Sequence, residues 1–170
     1  MTQTEFLTMV SPLQGKMYRL AFSFFRNEDE AKDIVQDVLI KIWEKRESLP
    51  QVENVEAWCI RIAKNTILDR LKHNSYRRTS DMAKHNEHPA ATDLQELTEM
   101  KDFIHTMRRI MNELPEKYRF LIHLREIEGL PYNEISEIME LRIETVKVGI
   151  SRARHMIRKK LKNLHSYGQR

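Results

Sequence analysis

The side chains with the most to offer chemically crowd one stretch near the C-terminal end, "RIETVKVGISRARHMIRKKL", positions 142 to 161. Ile143, Val146, Ile150, Ala153, Ile157 and Leu161 recur at helical spacing and define one apolar stripe. The other side carries Glu144, Thr145, Lys147, Val148, Ser151, Arg152, His155 and Lys159, with Arg154 and Arg158 adding charge toward the far end. Short polar groups at the start of such a helix match the edges of bases, while guanidinium and ammonium groups farther along neutralise phosphates. A second basic run, Arg61 to Arg78, sets six Lys/Arg against Asp69. Within it Arg61, Lys64, Asn65 and Lys72 are spaced to share one helix face. Both clusters suit the holding of a polyanion, and neither contains a set of groups that makes or breaks bonds.

Elsewhere the chain offers no catalytic residues: no Ser/His/Asp or Cys/His set, no metal-binding cluster and no glycine-rich phosphate loop. No enzyme activity, cofactor or metal is expected. Cys59 is the only cysteine, so an internal disulfide framework is excluded, and its apolar neighbours in "AWCIRIAKN" make it a small core residue. His85 and His88 in "HNEH" have metal-compatible spacing only on a helix, and they fall in a polar stretch without a cysteine. Trp43 and Trp58 have helical spacing that favours the core over stacking on bases. Asp69 reads as a structural partner of Lys72 or His73.

Charge is distributed unevenly. The net charge is +4, yet from Arg142 onward nine Lys/Arg face a single acid, Glu144, which leaves the rest of the chain mildly acidic. Two basic patches on an acidic background point to a polyanion held at two places. The start lacks a charged segment followed by an apolar run, and no stretch approaches the roughly 20 apolar residues of a membrane span. A cytoplasmic protein without membrane insertion is expected.

These patches need helices to position them. Apolar residues at 6, 9, 10, 13, 17, 20, 21 and 24 follow helical spacing, with Pro12 starting or kinking the segment. Asn27 with Glu30 makes a capping-box pattern ahead of a helix that buries Ala31, Ile34, Val35, Val38 and Ile42. Asp33, Gln36, Asp37, Lys41 and Glu44 are left outside. "ESLPQVENVE" reads as a loop, and a helix follows from about Val55 to His73. The stretch around residues 77 to 91 lacks apolar periodicity and reads as a tether. Helical pattern resumes near Leu94, stops at Pro115, and resumes again until Gly129. "PYNEISEIM", a break at Glu140 to Arg142, and the basic helix then form a helix-turn-helix, whose second helix fits a major groove. The fold class is all-α, with two small helical domains joined by a linker, at 1–76, 77–91 and 92–170.

At this point the residues resemble a family. "LPEKYRFLIHLREIEGLPYNEISEIMELRIETVKVGISRARHMIRKKL" resembles the promoter-binding C-terminal domain of the extracytoplasmic-function sigma factors of bacterial RNA polymerase. "RNEDEAKDIVQDVLIKIWEKRESL" and "NVEAWCIRIAKNTILDRLKHNSYRR" are similar to that family's N-terminal domain, in the same order. The resemblance implies that Asp33, Gln36, Asp37 and Lys41 dock on core RNA polymerase. It implies that Arg61, Lys64, Asn65 and Lys72 meet the minus-ten element of promoter DNA, and that the segment from Ser48 to Asn54 captures a flipped base. It assigns the minus-thirty-five element to Glu144, Thr145, Lys147, Val148, Ser151, Arg152, Arg154, Arg158 and Lys159. An anti-sigma factor is the further partner it implies.

Four positions depart from the family pattern. Glu140 stands where the turn commonly has glycine, and Arg142 and Pro131 stand where small polar helix caps are usual. Gly149 interrupts the basic helix, where it costs helix stability and leaves a gap that a phosphate or base methyl could approach. The alternative reading is a free-standing helix-turn-helix transcription regulator. It requires a sensor or receiver domain in the first 76 residues, where no strand pattern and a single glycine, Gly15, are found.

Overall fold

The computed structural model describes residues 1–80 and 98–167. Those residues form eight α-helices and no strand, and the chain divides into two compact units, Met1–Ala90 and Ala91–Arg170. The architecture is two all-helical domains. His85 and His88 lie outside the described residues.

In the first unit, α1 (Gln3–Val10) begins in a capping box between Thr2 and Glu5. Pro12 opens a short 3-10 turn, Ser11–Leu13, that leads into α2 (Gln14–Phe25). Pro12 thus joins two helices instead of kinking one. The Asn27 side chain accepts the Glu30 N–H at 2.9 Å and starts α3 (Glu28–Glu44), whose first turn carries three acids at the positive end of the helix. The expected loop before α4 is largely a 3-10 helix, Arg46–Gln51, with Leu49 fully buried. Helix α4 (Val55–Ser80) runs well past His73. No glycine or proline occurs between Val55 and Pro89, so nothing local ends it sooner. Helices α2, α3 and α4 pack together around Met17, Leu20, Ile34, Ile42, Ile60 and Ile67.

The second unit contains α5 (Thr98–Asn112), α6 (Glu116–Ile122), α7 (Tyr132–Met139) and α8 (Ile143–Tyr167). After Ile122 the backbone widens into a π turn, His123–Ile127, closed by the Glu128 N–H on the His123 carbonyl at 3.0 Å. Gly129, at φ 68°, then reverses the chain. His123 Nε2 sits 3.2 Å from Glu128 Oε1 in a buried pair, and His123 Nδ1 has no partner among the described residues. Glu140 does what glycine commonly does in this turn: it closes α7 in the left-handed region, at φ 55° and ψ 43°. Ser136 stabilises the turn by donating its hydroxyl to the Leu141 carbonyl while accepting the Leu141 N–H on its own carbonyl.

Gly149 corrects an expectation. It is buried against α6, where an added Cβ would lie 2.5 Å from Leu121 Cδ1. Val146, Ile150 and Ala153, on the same side of the helix, are equally buried. The helix turns this glycine inward, so it leaves no outward gap for a phosphate or a base methyl.

Two stability outcomes follow from these geometries. Gly149→Ala gains helix propensity, but it crowds a fully buried Leu121, so the net effect is a loss of about 1 kcal/mol. In a Leu121→Ala background the crowding disappears, and the same change stabilises by about 1 kcal/mol. Urea unfolding of the four variants reads this reversal of sign. Glu140→Gly relieves left-handed strain and raises stability by about 0.5–1 kcal/mol, seen as a higher melting temperature.

Candidate nucleic-acid interface

Helix α8 presents two faces. Val146, Gly149, Ile150 and Ala153 are sunk into the unit, and α8 packs on α5, α6 and α7. Glu144, Lys147, Val148, Ser151, Arg152, His155, Arg158 and Lys159 are exposed, and Thr145 is half-buried. Val148, 49% exposed, is an apolar contact offered to solvent beside Lys147. A surface of cations and short polar groups with one small apolar side chain fits phosphates, base edges and a base methyl.

Arg154 is not part of that exposed row. Its Nε donates to Glu126 Oε1 at 2.8 Å, and Nη2 reaches the same oxygen. This bond to a carboxylate holds its pKa above the ordinary value. Arg154 therefore ties α8 to the π turn after α6. Lys160 likewise bonds Glu113, which pulls that carboxyl below its ordinary pKa. Near the start of α8, the Arg142 carbonyl accepts the Val146 N–H at 3.0 Å. Pro131 leaves α7 without a side-chain cap.

Helix α4 carries the other basic patch. Asn65 and Lys72 are exposed and Arg61 is half-buried, and these positions fall on one side of the helix. Lys64 does not join them. It is only 6% exposed, because it lies within a turn of Ile60, Ala63 and Ile67 on the buried stripe. The expected pairing of Asp69 with Lys72 or His73 is also not formed among the described residues, and Asp69 stands exposed. Asn54 uses its amide oxygen to accept the Ala57 N–H at 2.9 Å, capping α4. Trp43 packs edge-on against Phe6 at 4.9 Å under the Arg46 guanidinium, and Trp58 is half-buried. Burial pushes the Cys59 thiol up to about 12, so it stays protonated near neutral pH.

On α3 the four polar residues separate into two pairs. Asp33 and Gln36 are exposed. Asp37 accepts from Arg70 at 2.9 Å, and Lys41 donates to Thr66 Oγ1 at 3.0 Å, both on α4. Glu30 and Asn74 extend the same set of contacts at 3.1 Å. Sequence reasoning missed Ile40, which is 57% exposed on the side of α3 that holds Asp33 and Gln36. Its spacing from Gln36 places it on that polar side, and this was the available signal.

Residues 9–77 match the model for sigma-70 region 2, and residues 104–157 match sigma-70 region 4. The chain is 31% identical to the RNA polymerase sigma factor SigV of Bacillus subtilis over 164 residues, covering 92% of this chain and 91% of that protein. It is 32% identical to the ECF RNA polymerase sigma-E factor of Haemophilus influenzae, covering 94% and 88%. The chain belongs to the extracytoplasmic-function sigma factors.

The fold agrees with that family. The sigma factor RpoE of Bartonella quintana, solved in complex with the anti-sigma factor NepR, matches with a TM-score of 0.71 at 25% identity, over 93% of this chain and 97% of that one. CnrH, solved with the cytosolic domain of CnrY, shares the fold with a TM-score of 0.67 at 21% identity, over 95% and 90%. This sigma factor is thus a transcription initiation factor that directs RNA polymerase to promoters. Among the described residues no helix is long and apolar enough to cross a membrane. The regulator alternative lapses, since the first unit is sigma region 2 and not a receiver.

The different surroundings of Lys64 and Asn65 can be measured by thermal unfolding of the full chain. Lys64→Ala removes a buried stem and costs roughly 1–3 kcal/mol, whereas the neighbouring exposed Asn65→Ala stays within about 0.5 kcal/mol of wild type.

Proposed function

We propose that this sigma factor divides its labour among three outward faces. Asp33, Gln36 and Ile40 on α3 dock on core polymerase. Arg61, Asn65 and Lys72 on α4 hold the opened strand of the minus-ten element. The exposed face of α8 lies in the major groove of the minus-thirty-five element, with Glu144, Thr145, Lys147, Val148 and Ser151 near bases and Arg152, Arg158 and Lys159 on phosphates. The observation that carries this reading is the sidedness of α8: its buried face is used in packing, and every cation on α8 expected to meet DNA is exposed except Arg154. Asp37, Lys41, Lys64 and Arg154 act from behind these faces, since the fold holds each of them.

Opening the strands needs no chemistry from the chain, only tighter binding to the open strand than to the duplex. The factor acts in the cytoplasm beside the polymerase and needs no cofactor. An anti-sigma factor is its further partner, as NepR is for the Bartonella quintana RpoE. Met100, Phe103 and Ile104, exposed on α5, offer apolar surface that such a partner can cover.

Binding of the full chain with core polymerase to promoters randomised in the upstream element, at several salt concentrations, tests the third face. Arg158→Ala and Lys159→Ala weaken binding to all sequences, each lowering the slope of log affinity against log salt by about 0.9. Lys147→Ala instead relaxes preference at one position, by roughly 1–3 kcal/mol. Equal and sequence-blind losses for Lys147→Ala and Arg158→Ala would reduce α8 to a phosphate-holding helix.

The first two faces separate in a second measurement. Replacing Asp33 and Gln36 by Lys weakens polymerase binding about tenfold or more, since one change reverses a charge and the other adds a positive one. Asn65→Ala leaves that binding intact and slows promoter opening, followed on duplex against pre-opened templates. Loss of polymerase binding in Asn65→Ala would show the two faces to be misassigned.

A further inference from the structure

Tyr132, the first residue of α7, is half-buried at a junction of three cations drawn from two elements. The Arg125 guanidinium lies over its ring, 4.5 Å from the centroid. The Lys147 ammonium lies over the same ring at 5.9 Å. Arg154, bonded to Glu126, stands close enough to Tyr132 for the two to interact electrostatically. The three cations differ in how else they are held. Arg125 donates to the Leu130 carbonyl at 2.8 Å, and Arg154 is fixed by its carboxylate. Lys147 is exposed, with its head over the aromatic ring.

A lysine head on a four-carbon stem loses rotamer freedom when it is placed against a base edge, and that loss weakens recognition. A ring face within about 6 Å attracts the ammonium and narrows its range beforehand. We propose that Tyr132 is a positioning residue for promoter specificity: its ring holds the Lys147 ammonium at the mouth of the groove before DNA arrives. Arg125 in turn holds the ring at its face. This inference rests on the reading of α8 as the minus-thirty-five helix. It adds a residue outside α8 that sets how sharply α8 discriminates.

The test is the discrimination ratio, meaning affinity for the best against the worst base pair at the position that Lys147→Ala relaxes. It is measured with the full chain and core polymerase on duplex promoters. Tyr132→Phe keeps the ring and holds the ratio near wild type. Tyr132→Leu lowers the ratio by about two- to fivefold with the salt slope unchanged. Tyr132→Leu lowers it no further in a Lys147→Ala background. Should Tyr132→Leu fold poorly, progressively fluorinated phenylalanines at position 132 keep the shape while draining the ring face, and the ratio falls with each fluorine.

The proposal is overturned if Tyr132→Leu lowers affinity equally for all sequences, if it does the same with and without Lys147, or if fluorination leaves the ratio untouched. A wild-type protein blind to sequence across the whole upstream element overturns the reading of α8 itself. Wild-type discrimination that survives every Tyr132 change overturns only the role of Tyr132.

Discussion

The depth at which α8 sits in the second unit decides what the rest of that unit can do. A 25-residue helix with one apolar stripe has many ways to lie on its neighbours. Leu121, fully buried on α6, meets α8 at the one position without a Cβ, and this lets the two backbones approach closely. Once Gly149 faces Leu121, Val146, Ile150 and Ala153 follow inward by helical periodicity, and Lys147, Ser151, Arg152 and Arg158 follow outward. The Arg154 to Glu126 and Lys160 to Glu113 pairs add little energy at the surface, but they oppose rotation about the helix axis. A helix that reads bases has to present the same side chains each time, and here the packing contact sets that orientation.

The first unit solves a similar problem with polar contacts. Glu30 to Asn74, Asp37 to Arg70 and Lys41 to Thr66 connect α3 and α4 at three heights, with rising numbers on one helix meeting falling numbers on the other. The helices are therefore antiparallel and locked in register. Apolar packing alone tolerates sliding, because one aliphatic contact resembles the next. Hydrogen bonds with matched donors and acceptors do not, since a slip leaves half-buried polar groups unpaired. Asp37 and Lys41 look from sequence like free docking residues because a polar residue flanking an apolar stripe has two uses, partner contact and interhelix contact. Only the position of α4 distinguishes them.

That ambiguity marks where the sequence is legible and where it is not. Apolar periodicity located the helices, and Asn27, Pro12 and Gly129 marked their ends, because each of those signals acts within a few residues. The second basic helix was legible for the same reason. Lys64 was not, since its charge argued for the surface while its spacing from Ile60 and Ile67 put it on the buried stripe, and the long stem makes both compatible. Gly149 was read as a gap because helix propensity says nothing about which way a missing side chain faces. Ile40 lies off the buried stripe of α3, and an apolar side chain carries no charge signal that marks an exposed face. The π turn at His123–Ile127 left no local trace, because widening a helix by one residue depends on what packs around it. The buried His123 and Glu128 pair lies at that turn.

The work proposed for this sigma factor depends on how rigidly it presents side chains. In the proposed division of labour, docking through Asp33, Gln36 and Ile40 would fix α3 and the polar contacts would then fix α4, so the face bearing Asn65 and Lys72 would be oriented by an event on another helix. Strand capture gains from this in the same way that α8 gains from Gly149. The ordering cost of the binding face is met during folding and docking, before DNA is engaged, and more of the contact energy remains to favour the open strand over the duplex. A looser first unit holding the same residues would still bind single strands. It would spend contact energy on ordering α4, and the difference between open and closed DNA on which initiation depends would shrink accordingly.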